Sequence, residues 1–247
     1  MNEGKEMELR VSHGGVPVLA IGEAATRTAQ VWNAESGGRL DVYAVASDDG
    51  ESLPVLFAAV QPVRFVLYDS GEVCFDVARK FVTSAGIGGM AIAIETTAQP
   101  AAGHTAEELG AGLLIRVGNE RECMEALDAL VRMVDPPQED VSLDIADVMA
   151  LFAGADYACS VTGTASGEQN VGDAVESALQ KLRWKPSALC GVLLDIAYKD
   201  NRTMKEINET VEQTLSRMSE DCNMIFGARL DPTLGETVKV TIMATAS

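Results

Sequence analysis

The chain has 247 residues, 47% of them apolar, with a mean hydropathy of +0.09, so it can bury one large core or two small ones and is not disordered. Nineteen basic against 37 acidic residues leave a formal charge of −18, which repels nucleic-acid phosphates and anionic membrane surfaces and argues against both as partners. No apolar run is long enough to span a bilayer, and the start, MNEGKEMELR, is polar with no signal-peptide core, so a cytoplasmic location is expected.

Val16–Ile21 (VPVLAI) reads as a buried strand, followed by Gly22 and a helical stretch, EAATRTAQVWNA, that ends near Gly37–Gly38. A second strand, Leu40–Ala46, runs into SDDGES. Strand, glycine turn, helix, strand is the opening of a doubly wound α/β domain, where ligands sit beyond the carboxyl ends of the strands. Gly22 and Asp48–Asp49 fall on that rim. Pro54–Val60 is a short apolar piece with no clear period. Val63–Tyr68 is a third strand, Asp69–Glu72 a turn with Asp69 or Ser70 as helix cap, and Val73–Ser84 a helix ending before Gly86. Met90–Glu95 is a fourth strand, Gln99–His104 a loop, Ala106–Gly110 a helical turn and Leu113–Val117 a fifth strand. Glu120–Val134 is strongly amphipathic, with Cys123, Leu127, Leu130, Val131 and Val134 on one face, and Pro136–Pro137 stops it.

Asp144 and Asp147 then stand three apart at the opening of a short apolar helix with Val148, Leu151 and Phe152 on one face. Both carboxylates lie near its first turn, where the macrodipole favours negative charge. A strand-like run, Tyr157–Val161, leads to a small-residue loop, TGTASGE, and an amphipathic helix from about Asn170 to Leu182. Such a loop between strand and helix either cradles a phosphate or is an ordinary connection capped by Ser166 or Asn170. Strand 190–197, helix 203–218, strand 223–230, a turn at Thr233–Glu236 and strand 237–245 complete the chain, and a domain border falls near 135–155. Cys74, Cys123, Cys159, Cys190 and Cys222 are odd in number, far apart and mostly set in apolar runs, so buried reduced thiols are expected. With only His13 and His104 besides, neither a histidine metal cluster nor a Ser-His-Asp triad is expected, and no metal site is assigned.

The passage DIADVMALFAGADYACSVTGTASGEQNVGDAVESAL resembles the middle of FtsZ, the bacterial tubulin homologue, from its catalytic synergy loop into the C-terminal domain. The likeness continues through GVLLDIAY at Gly191–Tyr198, the helix around Met204–Met218, NMIFGARLD at Asn223–Asp231 and VKVTIMATAS at Val238–Ser247. Membership of the FtsZ/tubulin superfamily implies a shortened tubulin-like α/β fold. Residues 1–135 would be a Rossmann-like parallel-sheet domain, 136–155 a connecting helix with the synergy loop, and 156–247 a C-terminal α+β domain. It also implies a cytoskeletal or cell-division role, with the chain itself or an FtsZ-type protein as partner.

In that family GTP is held by glycine-rich loops, because bare backbone N–H groups can approach phosphate oxygens and the following helix N-terminus adds positive potential. Here the first loop, IGEAATRTA, keeps only Gly22, and Glu23 brings a carboxylate to the phosphate's place. The second, DSGEVCFDVARKF, keeps only Gly71 and brings in Asp69, Glu72 and Asp76, with no basic residue there closer than Arg79–Lys80. The chain is also shorter than the family pattern between Asp49 and Val63 and again before Glu120. The expectation is a subunit without nucleotide. If GTP or GDP with magnesium is bound after all, Gly22, Ser70 and Gly71 are the residues to hold it.

The synergy loop of the family carries N-x-D-x-x-D, whose acids position water on a neighbouring subunit's GTP. The matching residues are Ser142, Asp144 and Asp147, so both acids are present and can orient or deprotonate an attacking water, or can simply cap a helix. The sequence stops at Ala246–Ser247, where the family continues into a linker and membrane-recruiting tail, so recruitment by that route is not expected. Two further readings stand beside a pseudo-GTPase: a divergent GTPase that still polymerises, and a binding module whose cleft near Gly22, Asp48 and Asp69 takes another ligand such as a cation.

Overall fold

Strands that are buried on both faces read as unbroken apolar runs, and the first such run forms β1 (Val16–Ile21), covered by α1 (Glu23–Glu35). The computed structural model describes residues 15–46, 64–96, 104–134, 139–141, 143–167, 170–199 and 204–246; Asp48–Asp49, Pro54–Val60, Gln99, Pro136–Pro137 and Ser142 lie outside the described residues. In chain order there follow β2 (Leu40–Val45), β3 (Arg64–Asp69), α2 (Glu72–Ser84), β4 (Ala91–Thr96), α3 (Ala106–Leu109), β5 (Leu113–Val117) and α4 (Glu120–Val134). The second half holds β6 (Glu139–Val141), α5 (Ile145–Leu151), β7 (Ala158–Ser166), α6 (Asn170–Leu179), β8 (Leu189–Tyr198), α7 (Met204–Leu215), β9 (Asn223–Leu230) and β10 (Thr237–Ala246).

Among the described residues ten strands make one sheet in the order β2-β1-β3-β4-β5-β7-β10-β8-β9-β6. The first five are parallel, and β7 joins β5 in parallel with Ile115 opposite Ala158. Beyond β7 the sheet turns antiparallel through β10 and β8. Period-2 alternation divides the first half into two cores. Val18 and Ala20 pack with Ala25, Ala29 and Trp32 of α1 and Leu127, Leu130 and Val131 of α4, while Leu19 and Ile21 pack with Phe75, Phe81 and Val82 of α2. Leu143, Val148 and Phe152 share the α1/α4 core with Leu193 and Met243, so apolar packing is continuous across the junction of the halves. A third core sits under α6 and α7. Among the described residues no helix is long and apolar enough to cross a membrane.

The α/β architecture matches the sequence reading, but three details differ. The first five residues of TGTASGE are strand rather than loop: β7 runs through Ser166, pairing residue by residue with β10 from Ser166↔Thr237 to Cys159↔Ala244, and Glu168 lies outside the described residues. Small residues are used there because α6 lies almost on the strand; a Cβ on Gly163 would come within 2.1 Å of the Ala174 carbonyl oxygen. Thr162 and Thr241 then share a cross-strand hydrogen bond at 2.9 Å. The second difference is β6, too short to carry a period, which adds an antiparallel edge to β9. Third, α6 ends at Leu179, with Leu182 in a following turn.

Polar contacts also cross the junction. Arg229 of β9 is 1% exposed and lies 3.0 Å from Asp128 of α4, 3.1 Å from Asp195 of β8 and 3.5 Å from Asp231. Asp128 in turn meets Arg132 at 2.9 Å and Lys239 at 3.3 Å, giving three cations for three carboxylates. Burial opposes ionisation of Asp128, but Lys239, Arg229 and Arg132 outweigh it and hold its carboxyl below its ordinary value.

Candidate functional site

The sheet's carboxyl edge is built from the ends of β1, β3, β4 and β5, and there the expected residues Gly22, Ser70 and Gly71 come together. Gly22 directly precedes α1 with φ 96°, a left-handed conformation that favours glycine. A Cβ at that position would stand 2.4 Å from Oδ2 of Asp69, so only glycine lets this carboxylate approach. Asp69, the last residue of β3, accepts hydrogen bonds from the backbone N–H of Ala24 at 3.0 Å and of Ala25 at 2.6 Å. The Thr96 hydroxyl adds a third contact, to Oδ1, at 3.0 Å. The first-turn amides of α1, the positive end of its macrodipole, are therefore engaged by a carboxylate of the same chain.

This differs from the sequence reading in which acid does the work. Glu23 points to solvent with its side chain 94% exposed, its Oε1 3.9 Å from Arg27. Asp69 takes the place expected of Glu23, and it caps α1 across the sheet rather than α2. Neither Asp69 nor Ser70 caps α2, whose N-cap is Gly71 with no side-chain hydrogen bond. Other rim amides are also engaged. Gly22 N–H donates to the Val45 carbonyl at 3.0 Å, Ser70 N–H to the Thr96 carbonyl at 3.0 Å, and Gly118 N–H to the Glu122 carboxylate at 2.7 Å. An anion approaching α1 thus meets a carboxylate already bound to the Ala24 and Ala25 amides. At α2 the first turn remains uncapped, flanked by Glu72 and Asp76.

One cation on α1 carries no signal in the sequence. Arg27, one turn into α1, reaches across to Glu120 at the start of α4 and makes an ion pair with it, both side chains about half exposed. The hydrogen bond from Arg27 holds the Glu120 carboxyl below its ordinary value. Thr96 was missed as well; nothing local distinguishes a threonine that ends a strand from one that touches a carboxylate. On the other face of the sheet, Tyr68, Glu95 and Arg116 lie in register on β3, β4 and β5. Glu95 is fully buried and accepts from Arg116 Nε at 2.8 Å, while the guanidinium stacks 4.1 Å above the Tyr157 ring. His104 stacks on Phe75 at 3.7 Å and its Nε2 lies 3.5 Å from Glu72. This layer is closed packing rather than an open cleft.

Asp144 and Asp147 occupy the opposite edge, since α5 feeds β7 from its amino-terminal end. Asp144 is the N-cap of α5, its Oδ1 accepting from Ala146 N–H at 2.8 Å. Asp147 lies in the first turn and is exposed. The capping role therefore accounts for Asp144 and leaves the Asp147 carboxylate facing outward. Four of the five cysteines are buried and all are free; burial pushes the Cys123 thiol well up.

Residues 156–247 match the family model for the C-terminal domain of the FtsZ family. The cell division protein FtsZ of Rickettsia bellii (strain RML369-C) is 31% identical over 109 residues, 42% of this chain and 24% of that protein, and FtsZ of Rickettsia felis matches to the same extent. The match thus spans about a quarter of the length of those relatives. Among solved structures, an empty FtsZ dimer from M. jannaschii superposes with a TM-score of 0.75 at 17% identity, over 96% of this chain and 90% of that one. CetZ2 from Haloferax volcanii, a GTPgS-bound protofilament, gives 0.62 at 12% identity over 93% and 92%. The second half of the chain thus carries the C-terminal domain of the FtsZ family, and the fold of FtsZ runs through nearly all of its length.

Proposed function

We propose that this chain is an FtsZ/tubulin-like cytoskeletal protein of the cytoplasm that carries no guanine nucleotide and works through contacts with other proteins, either copies of itself or an FtsZ-type partner. The carrying observation is Asp69, whose two oxygens accept from Ala24 and Ala25 at the α1 N-terminus, where a phosphate would need those same amides. Residues 1–135 then form a vestigial nucleotide domain, 136–155 the connection, and 156–247 a C-terminal domain of FtsZ type. At the opposite edge Asp147 offers an exposed carboxylate to a neighbour's nucleotide, with Asp144 holding the helix that presents it. Such a subunit can join one face of a filament and offer no nucleotide at its other face, so it caps or modulates assembly. Adding the protein to polymerising FtsZ, with light scattering and phosphate release followed together, tests this. A change in assembly or turnover is expected; no change in either contradicts it.

One observation favours a second reading, a divergent GTPase. The first turn of α2 carries Gly71 and no side-chain cap, which leaves backbone amides for an anion beside Ser70. On that reading Gly22, Ser70 and Gly71 hold GTP with magnesium, and saturable binding of GTP at micromolar concentration would favour it over the first.

A further inference from the structure

The geometry points to Cys190 and Cys222 as a redox pair: a hydroperoxide converts the two thiols into one disulfide between β8 and β9, which clamps the α7–β9 turn onto the start of β8. The inference is independent of whether the chain binds nucleotide.

Far apart in sequence, the two cysteines are made neighbours by the sheet. β8 and β9 run parallel, and their pairing opens with Gly191 opposite Asn223. Cys190 and Cys222 each stand one residue earlier, so they face each other across the two strands. Neighbouring strands lie about 4.8 Å apart, inside the roughly 4.4–6.8 Å between Cα atoms that a disulfide spans. The side chains also share a face. Val192, Leu194 and Ile196 of β8 and Met224, Phe226 and Ala228 of β9 pack in the core under α6 and α7, and Cys222 belongs to that core. The two-residue period of a strand puts Cys190 on the same side. Burial pushes the Cys222 thiol up and the Cys190 sulfur adds to the shift, so the two groups are near enough to sense each other.

The backbone has room for the last adjustment, because neither cysteine is a rung of a ladder. Cys190 is the extra residue of a bulge, with Gly191 opposite Thr245 and Leu189 opposite Ala246 on β10. Cys222 sits in the turn before β9, its N–H donating to the Ser219 carbonyl at 3.0 Å. The thiols make only long contacts with backbone carbonyls, Cys190 with Thr245 at 3.6 Å and Cys222 with Asn223 at 3.7 Å. The turn is already held to β8 by the Ser219 hydroxyl, which donates to the Leu189 carbonyl at 2.9 Å. The disulfide therefore reinforces an existing contact.

Cys190 is half-buried and Cys222 buried, which sets the order of events. The Cys190 thiolate attacks one oxygen of the hydroperoxide and the O–O bond breaks. Cys190 becomes a sulfenic acid, and the other oxygen takes up the thiol's proton and leaves as an alcohol or, from hydrogen peroxide, as water. The Cys222 sulfur then attacks the sulfenic sulfur. The S–S bond forms, and the sulfenic hydroxyl leaves as water with the Cys222 proton. Two electrons pass from the pair of thiols to the peroxide. A small dithiol restores both cysteines by exchange and is itself oxidised to a disulfide.

The test uses the full chain, reduced and then treated with hydrogen peroxide in slight molar excess. Intact mass should show a monomer that has lost a pair of hydrogens. Trypsin cuts after Arg183, Lys199, Arg217 and Arg229, so the two cysteines fall on separate peptides, and these should be recovered joined. Closing a loop of roughly thirty residues should raise the melting temperature by about 4–16 °C, and dithiothreitol should reverse the rise. Cys222→Ser should leave a sulfenic acid on Cys190 that dimedone traps, whereas Cys190→Ser should leave Cys222 unmodified. Neither variant should melt higher after oxidation than in its own reduced form. Recovery of the two peptides unlinked, linkage between separate molecules, a melting temperature that does not rise, or trapping at Cys222 in place of Cys190 would overturn the inference.

Discussion

Replacing Arg229 with methionine tests what ties the two halves of the sheet together. The guanidinium lies 3.0 Å from Asp128, 3.1 Å from Asp195 and 3.5 Å from Asp231, and its side chain is 2% exposed. Methionine keeps most of the volume and removes the charge and every donor. Asp195 and Asp231 then lose their ion pair, and Asp128 keeps only Arg132 and Lys239. Breaking a buried charge cluster in this way costs about 3–5 kcal/mol, because carboxylates are left in a poorly solvated place. For a chain of this size each kcal/mol is worth roughly 2–4 °C, so the melting temperature should fall by about 6–20 °C. The pH dependence adds a sign. In native protein burial opposes ionisation of Asp128 and Asp231, but cationic neighbours for Asp128, and Thr233 followed by Arg229 and Arg132 for Asp231, hold both carboxyls below their ordinary values. Groups with a depressed folded value contribute stability above the unfolded value, and that contribution is lost as pH falls through the folded one, so native protein weakens only below about pH 4. In the variant Asp231 keeps its bonds from Thr233 and Asp128 its ion pairs with Arg132 and Lys239, but the shared cation Arg229 is gone, so both values are held down less and stability should fall less steeply in acid than it does for native protein. Urea unfolding at about pH 7 and about pH 3.5 reads both effects. A loss below about 1 kcal/mol at neutral pH, or parallel pH slopes for the two proteins, would refute the reasoning.

Other substitutions separate roles that the sequence leaves merged. Asp144→Ala removes the α5 cap and should cost about 1 kcal/mol in urea unfolding, whereas Asp147→Ala should stay within about 0.5 kcal/mol and affect only the response of FtsZ filaments. Equal stability costs for the two would show that Asp147 is structural as well. Gly163→Val pushes a side chain into the α6 backbone and should destabilise by about 1–3 kcal/mol or more; a neutral result would mean that α6 does not pack on β7 as described. Toward a thiol reagent in native buffer, half-buried Cys190 should react first and Cys123, fully buried, only on unfolding; early modification of Cys123 would contradict the packing of α4.

Much of the fold was legible because its signals are local. Val16–Ile21, Leu113–Val117, Glu120–Val134 and Asn223–Leu230 carry enough period and apolar content that sequence and structure agree at both ends. TGTASGE failed as a reading because Gly, Ser and Thr signal a turn, yet pairing with β10 and the close approach of α6 outweigh that preference. β6 has three residues and no pattern to read. The candidate site was legible in outline only. The scarcity of glycine and the surplus of acid at the rim are visible in the letters, but which acid reaches α1 is decided by β3 lying beside β1, a pairing no local window contains. Glu23 was the natural choice from adjacency in sequence; adjacency in the sheet chose Asp69. The Arg229 cluster is non-local in the same way, joining residues 101 positions apart.

The most direct test of the central proposal is a calorimetric titration of the native protein with GTP, GDP and ATP in the presence of magnesium. With Asp69 seated on the amides of Ala24 and Ala25, the account predicts no saturable heat for any of the three at concentrations well above the micromolar range. Saturable micromolar binding of GTP or GDP would contradict it.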